Sequence, residues 1–200
     1  MNDVQHLKVA VIGHEDHGKT ALALALEAYC HRHSSKGYKI FENLDRVSEE
    51  GGIPVDSNVV VATPRYTYRL MDYASHADVI KGISAAAPWD GALLVVSVMD
   101  GPMSQTREHL ALAQKAHIRN ICVFLNQCDK VDDQGMVDLI DEEVRQLLTE
   151  YGYNGDEVVV VHGSATEALD DRLEWDAKAG ELLTALDIQI GALVQASGRS

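Results

Sequence analysis

Residues 13–20 read Gly-His-Glu-Asp-His-Gly-Lys-Thr and stand directly behind an apolar run, Leu7–Ile12. The pattern G-x-x-x-x-G-K-[ST], set after a strand and before a helix, constrains the fold tightly, because strand, loop and helix must meet at one point. Gly13 and Gly18 allow backbone conformations that a Cβ hinders, so successive N–H groups can curl around phosphate oxygens. His14, Glu15, Asp16 and His17 form the body of this phosphate-binding loop. Lys19 can reach terminal phosphates as a point charge, and Thr20 has the hydroxyl to coordinate Mg²⁺. The helix that opens at Lys19 aims its positive end at the same place.

The rest of the composition narrows the setting. A chain of 200 residues with 46% hydrophobic content suits one α/β domain with a proper core rather than a disordered segment. A net charge of −14 repels phosphate backbones outside a local pocket, which argues against direct nucleic-acid binding. Cys30, Cys122 and Cys128 are odd in number, lack metal-ligand spacing and read as small core fillers in a reducing compartment. Met1–Lys8 lacks the shape of a signal peptide and no apolar run reaches spanning length, so the expected location is cytoplasmic, with no membrane partner.

Strand and helix patterns alternate along the chain. Strands are predicted at Leu7–Ile12, Val59–Ala62, Tyr66–Met71, Gly91–Val98, Ile121–Leu125 and Val158–Val161, and helices at Lys19–His31, His76–Ala87, Gln105–His117 and Trp175 to about Val194. Met136, Val137, Ile140, Val144, Leu147 and Leu148 form a further helical stripe. The stretch His31–Pro54, with Ser34-Ser35 and Gly51-Gly52, reads as a long polar loop, and loops of that length are usually functional. Regular alternation predicts a mostly parallel sheet covered on both sides.

In such sheets the loops after the carboxyl ends of strands build the ligand site. Those loops carry the phosphate loop, Asp72, Asn126-Gln127-Cys128-Asp129 and Gly163-Ser164-Ala165. Asp72 could hold the Mg²⁺ shell. A carboxylate such as Asp129 can accept hydrogen bonds from the N1–H and 2-amino group of guanine. Adenine lacks that amino group, so such a site discriminates by roughly 10⁴. Asn126 and Asp129 could otherwise serve as helix N-caps. His14-x-x-His17 lies inside the phosphate loop and is not read as a metal site, and His31-Arg32-His33 reads as a solvated helix end.

From Leu7 to Leu186 the chain resembles the G domain of the translational GTPases of the elongation factor Tu type. The resemblance rests on Gly13–Thr20, on Asp100–His109 (Asp-Gly-Pro-Met-Ser-Gln-Thr-Arg-Glu-His), on Asn126–Asp129 with Val131-Asp132-Asp133, and on Gly163–Ala165. It implies an α/β P-loop NTPase G domain with a mostly parallel six-stranded sheet and helices on both faces. It also implies GTP or GDP and Mg²⁺ as ligands and GTP hydrolysis as the activity. Carried over, Lys19 contacts the β- and γ-phosphates, Thr20 binds Mg²⁺, Asp72 reaches it through water, and His76 orients the attacking water. Asn126 and Asp129 read guanine, with Ser164 and Ala165 behind the base. Residues 1–200 then form a single G domain, with switch I at about 32–57 and switch II at about 72–88. The run Thr106–His109 has no chemical reason of its own at this level and marks ancestry.

One departure from the family is on the base side, and the others surround the γ-phosphate. Gln127 stands where the family has Lys. Arg-Gly-Ile-Thr of switch I is here Gly51-Gly52-Ile53-Pro54, and proline has neither hydroxyl nor N–H to offer. Asp-Cys-Pro-Gly-His of switch II is Asp72-Tyr73-Ala74-Ser75-His76, whose Ser75 replaces a glycine. Glu15 replaces a valine and brings a negative charge near phosphate. The expectation is a guanine-nucleotide-binding protein that hydrolyses GTP slowly as a molecular switch and acts through a protein effector or regulator. The alternatives are a nucleotide-binding regulatory module with little or no hydrolysis and a fragment of a translation elongation factor.

Overall fold

The computed structural model describes residues 5–40, 49–50, 53–73, 75–85 and 88–196, with backbone alone at residues 40, 49–50 and 53–58. Residues 1–4, 41–48, Gly51-Gly52, Ala74, residues 86–87 and residues 197–200 lie outside the described residues.

Six strands of three or more residues carry the sheet: β1 (His6–Ile12), β4 (Ile53–Ala62), β5 (Thr67–Tyr73), β6 (Gly91–Ser97), β7 (Ile121–Asn126) and β8 (Val160–His162). Two-residue pieces, β2 (Lys39–Ile40) and β3 (Glu49–Glu50), pair with β4. The order is β2-β4-β5-β1-β6-β7-β8. From β5 to β8 every pairing is parallel, while β4 lies antiparallel to β5. The helices are α1 (Lys19–Arg32), α2 (His76–Ala85), α3 (Ser104–Lys115), α4 (Gln134–Glu150), α5 (Ala165–Leu169), α6 (Leu173–Leu186) and α7 (Ala192–Ala196).

The unbroken apolar runs have their reason here. Every residue of β6 and β7 is buried, because both faces of the sheet are covered. On one face α1 and α6 close a core around Leu26, Tyr68, Val95 and Leu182, and on the other α2, α3 and α4 close a second around Ile12, Met71, Leu94 and Leu148. Each fully buried Leu, Ile or Val contributes about 1.5–3 kcal/mol relative to exposure. Asp133 accepts the Gly135 N–H and so caps α4, whose buried Val137, Val144, Leu147 and Leu148 follow the predicted stripe.

Three sequence expectations change. The long loop expected over His31–Pro54 holds short strand pieces, and β4 begins at Ile53 rather than Val59 because its first residues find a partner in β3. The last helix is interrupted by a π turn, Asp187–Gly191, where Asp187 accepts hydrogen bonds from the hydroxyls of Thr63 and Tyr68. The end of α1 is not simply solvated: Asp176 of α6 takes the Arg32 guanidinium at 2.5 Å and His33 at 2.7 Å. Cys30 and Cys122 are buried, which pushes both thiols up to about 12, as inert core fillers should be.

Candidate functional site

The phosphate loop joins β1 to α1 at the centre of the sheet. Gly13 adopts φ +138°, and a Cβ there would stand 2.2 Å from the Val95 carbonyl oxygen. Gly18 adopts φ +86°, and its Cβ would stand 2.3 Å from Nδ2 of Asn126. Both positions therefore need glycine for conformation and for space. Gly18 is also the N-cap of α1 and supplies no side-chain cap, so the first turn presents its N–H groups to the loop. The His14 carbonyl accepts from Lys19 Nζ at 2.9 Å and so holds the ammonium at the loop.

A cavity of about 380 Å³ opens over this loop, lined by Gly13, Gly18, Lys19 and Thr20 on one side and by Ser75, His76 and His109 on the other. Below it, Thr20 Oγ1 donates to Asp72 Oδ2 at 2.5 Å, and Asp72 is fully buried at the end of β5. The sequence assigns Thr20 and Asp72 to the divalent cation. A hydroxyl and a carboxylate in contact beside a phosphate loop are a hard-oxygen pair of the kind Mg²⁺ takes, so the residues present fit that ion. The uncapped α1 terminus and Lys19 fit a multiply anionic ligand equally well.

The base-side loops adjoin the phosphate loop rather than line this cavity. Asn126, buried at the end of β7, donates from Nδ2 to the His17 carbonyl at 2.8 Å and accepts the Ala165 N–H on Oδ1 at 2.9 Å. One amide thus ties the phosphate loop to the Gly163–Ala165 loop. Gln127 does similar work at φ +65°: its Nε2 donates to the Asp16 carbonyl at 3.2 Å, while its Oε1 accepts from Ser97 at 3.1 Å and Lys130 at 3.3 Å. The amide replaces a lysine as donor and adds an acceptor that lysine lacks. Asp129 is exposed beside this bracket. Ser164 caps α5 by accepting the Glu167 N–H at 3.3 Å.

Helix α3 brings in residues left without a role by the sequence. Gln105 accepts the Glu15 N–H at 3.0 Å, and His109 accepts the Gly13 N–H on Nδ1 at 3.2 Å. Their spacing of four places them on one helical face, which is the signal the motif held. His109 also meets His76 at 2.8 Å, and His76 meets Glu108 at 3.0 Å. His17 and His109 are both about 1% exposed, and burial, first of all, pushes each down to about 4. The nearby imidazole of His14 adds to the effect on His17, and that of His76 to the effect on His109.

The switch departures also have positions. Ser75 Oγ accepts the Asp78 N–H at 3.2 Å and donates to the Asp78 carboxylate at 2.6 Å, so Ser75 caps α2 immediately before His76. Pro54 lies in β4 opposite Glu49, and the same strand runs on against β5 with Val55 opposite Tyr73 and Ser57 opposite Asp72. Glu15 is exposed.

A parallel α/β sheet with a glycine loop feeding an uncapped central helix defines a phosphate-loop nucleotide-binding protein. Residues 4–192 match the model of the elongation factor Tu GTP binding domain, and the chain belongs to that family. It is a GTP-binding G domain, and its family carries GTPase activity in general. No helix among the described residues is long and apolar enough to cross a membrane.

Proposed function

We propose that this protein is a guanine-nucleotide switch that hydrolyses GTP slowly, with Mg²⁺, and reports its state to a protein effector or regulator in the cytoplasm. Residues Gly13–Thr20 hold the phosphates. Thr20 and Asp72 would hold Mg²⁺, which when bound neutralises charge on the phosphate oxygens. Asp129 reads the guanine edge, and Asn126, Gln127, Ser164 and Ala165 hold the loops that frame the base. His76 positions the attacking water. Switch I spans about 32–57 and switch II about 72–88.

One observation carries the slow rate: His76 lines the same cavity as Lys19 and Thr20, yet its outer ring nitrogen, Nε2, is held by the Glu108 carboxylate. Catalysis of phosphoryl transfer is almost wholly positioning and electrostatics, so a histidine held elsewhere leaves much of the rate unrealised. The switch residues support a weak preference for GTP over GDP. Pro54 has no N–H to give a γ-phosphate, and its strand is committed to pairing. A ligand shifts a two-state element only by its differential affinity for the two states.

Single-turnover hydrolysis by the parent and His76→Ala tests this reading. A fall of roughly tenfold or more supports water positioning. Equal rates would leave His76 as a packing residue and the protein as a nucleotide-binding module with little turnover. A strong GTP preference measured with Mg²⁺ would mean that another switch residue, such as Ser57, has taken the role of the missing threonine.

A further inference from the structure

The run Thr106–His109 reads as ancestry in the sequence, but in the fold it wires His76 to the phosphate loop. The direction of that wiring follows from the donors. The Gly13 N–H can only donate, so Nδ1 of His109, 3.2 Å away, must be the bare nitrogen. A neutral imidazole has one proton, so His109 carries it on Nε2. That Nε2 lies 2.8 Å from Nδ1 of His76, which must then accept. His76 in turn carries its proton on Nε2, 3.0 Å from a carboxylate oxygen of Glu108. A backbone group that cannot reverse its role therefore sets the polarity of the chain from Gly13 through His109 and His76 to Glu108.

The two ends of this chain differ in strength. His109 is about 1% exposed, and a second proton on its ring would set N–H against N–H at Gly13. Burial, foremost, also pushes this imidazole down to about 4 and keeps it neutral. The Glu108 side chain is 59% exposed, so its hold on His76 is a surface contact worth little.

We propose that His109 is a positioning residue for hydrolysis, which borrows the Gly13 N–H to fix His76 with Nδ1 turned inward and its single N–H outward at Nε2. The inference rests on the reading of His76 as the water-positioning residue. In this wiring His76 can present a proton but has no bare nitrogen with which to take one. Glu108 holds the outer N–H in the resting structure. Because that contact is weak, the same N–H can pass to a water or phosphoryl oxygen while the buried half of the chain stays in place. Gln105, one turn earlier on α3, holds the Glu15 amide, two residues further along the same loop, so α3 braces the loop and aims the histidine together.

Two measurements on the full chain decide the matter. In ¹⁵N-labelled, GDP-bound protein, a through-hydrogen-bond coupling is expected between Nε2 of His109 and Nδ1 of His76, with Nδ1 of His109 unprotonated. Absence of the coupling, or a proton on that Nδ1, overturns the inference. In single-turnover GTP hydrolysis, His109→Phe keeps the volume and removes both nitrogens. It should slow the reaction roughly tenfold, and adding His76→Ala should slow it little further, because the two side chains act as one unit. His109→Gln keeps an acceptor and a donor and should recover part of the rate. His109→Phe as fast as the parent, with His76→Ala slow, overturns the role of His109 and leaves the proposed function standing. His76→Ala as fast as the parent removes the water-positioning reading and this inference with it. Should His109→Phe fail to fold by circular dichroism, the coupling in the parent protein decides: its absence overturns the positioning role.

Discussion

The two flanks of β1 reach the phosphate loop by different means. On the flank of β6, β7 and β8 the strands run parallel and specific side chains cross between loops: Asn126 to His17 and Ala165, Gln127 to Asp16 and Ser97. On the flank of β5 and β4 the pairing turns antiparallel, and β4 meets β5 through a strand ladder from Val55 opposite Tyr73 to Ala62 opposite Thr67. Side-chain brackets of this kind fail when one residue changes. Two of the departures from the family pattern lie on that flank, Pro54 in β4 and Ser75 at the start of α2. The difference separates two tasks that a nucleotide switch usually couples. The first flank ties three loops together through side-chain amides. The second is built to stay as it is, with β4 zipped to β5 and Ser75 capping α2.

Changes to the first flank should have the largest effects. Asp129→Asn should lose guanine selectivity, because an amide cannot accept from both N1–H and the 2-amino group, and should prefer xanthine nucleotides. The ratio of GDP to XDP affinity is expected to move by up to roughly 10⁴, read by calorimetric titration. An unchanged ratio would show that the base lies elsewhere. Lys19→Ala should weaken GDP binding by on the order of 2–4 kcal/mol, since a charge is lost from a multiply anionic ligand. Parental affinity in that variant would remove the loop from the site.

Acid should attack the same flank and the central loop. His17 and His109 are pushed down to about 4 in the folded protein, against a usual value of 6.5. Between these values the unfolded chain binds more protons than the folded one. The stability they lend is therefore complete above pH 6.5 and is lost as the pH falls toward 4. Each histidine should contribute on the order of 2 kcal/mol over that window, measured as urea midpoints against pH. His109→Gln should flatten the curve, and an equally steep curve in that variant would place the sensitivity in other groups.

The second flank should answer least. Ser75→Gly removes the cap of α2 at a cost of only a few tenths of a kcal/mol. Combined with Pro54→Thr it should raise the hydrolysis rate and the GTP preference several-fold by restoring an N–H, a hydroxyl and a flexible hinge. A double variant no faster than its parent would point to the Glu108 contact on His76 as the dominant restraint.

The order of the six strands and the main helices could be read from the chain because strand, turn and helix signals are local: apolar runs, glycine pairs and N-cap residues each span only a few positions. The phosphate loop was equally plain, since its glycines, Lys19 and Thr20 are contiguous. Element edges were less so. β4 gained its first residues only because β3 stands opposite, and the π turn at Asp187 exists because Thr63 and Tyr68 offer hydroxyls from across the sheet.

What the sequence determined by itself was therefore the kind of site: a phosphate loop on a central helix, acids and amides at strand ends, and a histidine in the second switch. Which of those side chains meet was decided by the tertiary structure alone. Gly13 and His109, or His17 and Asn126, lie about a hundred positions apart along the chain, at separations of 96 and 109, and become hydrogen-bonded partners only when parallel strands bring their carboxyl ends to one edge. Periodicity reports which face of an element is buried. It carries no record of which element lies across from it, and the wiring of His76 depends on that second fact.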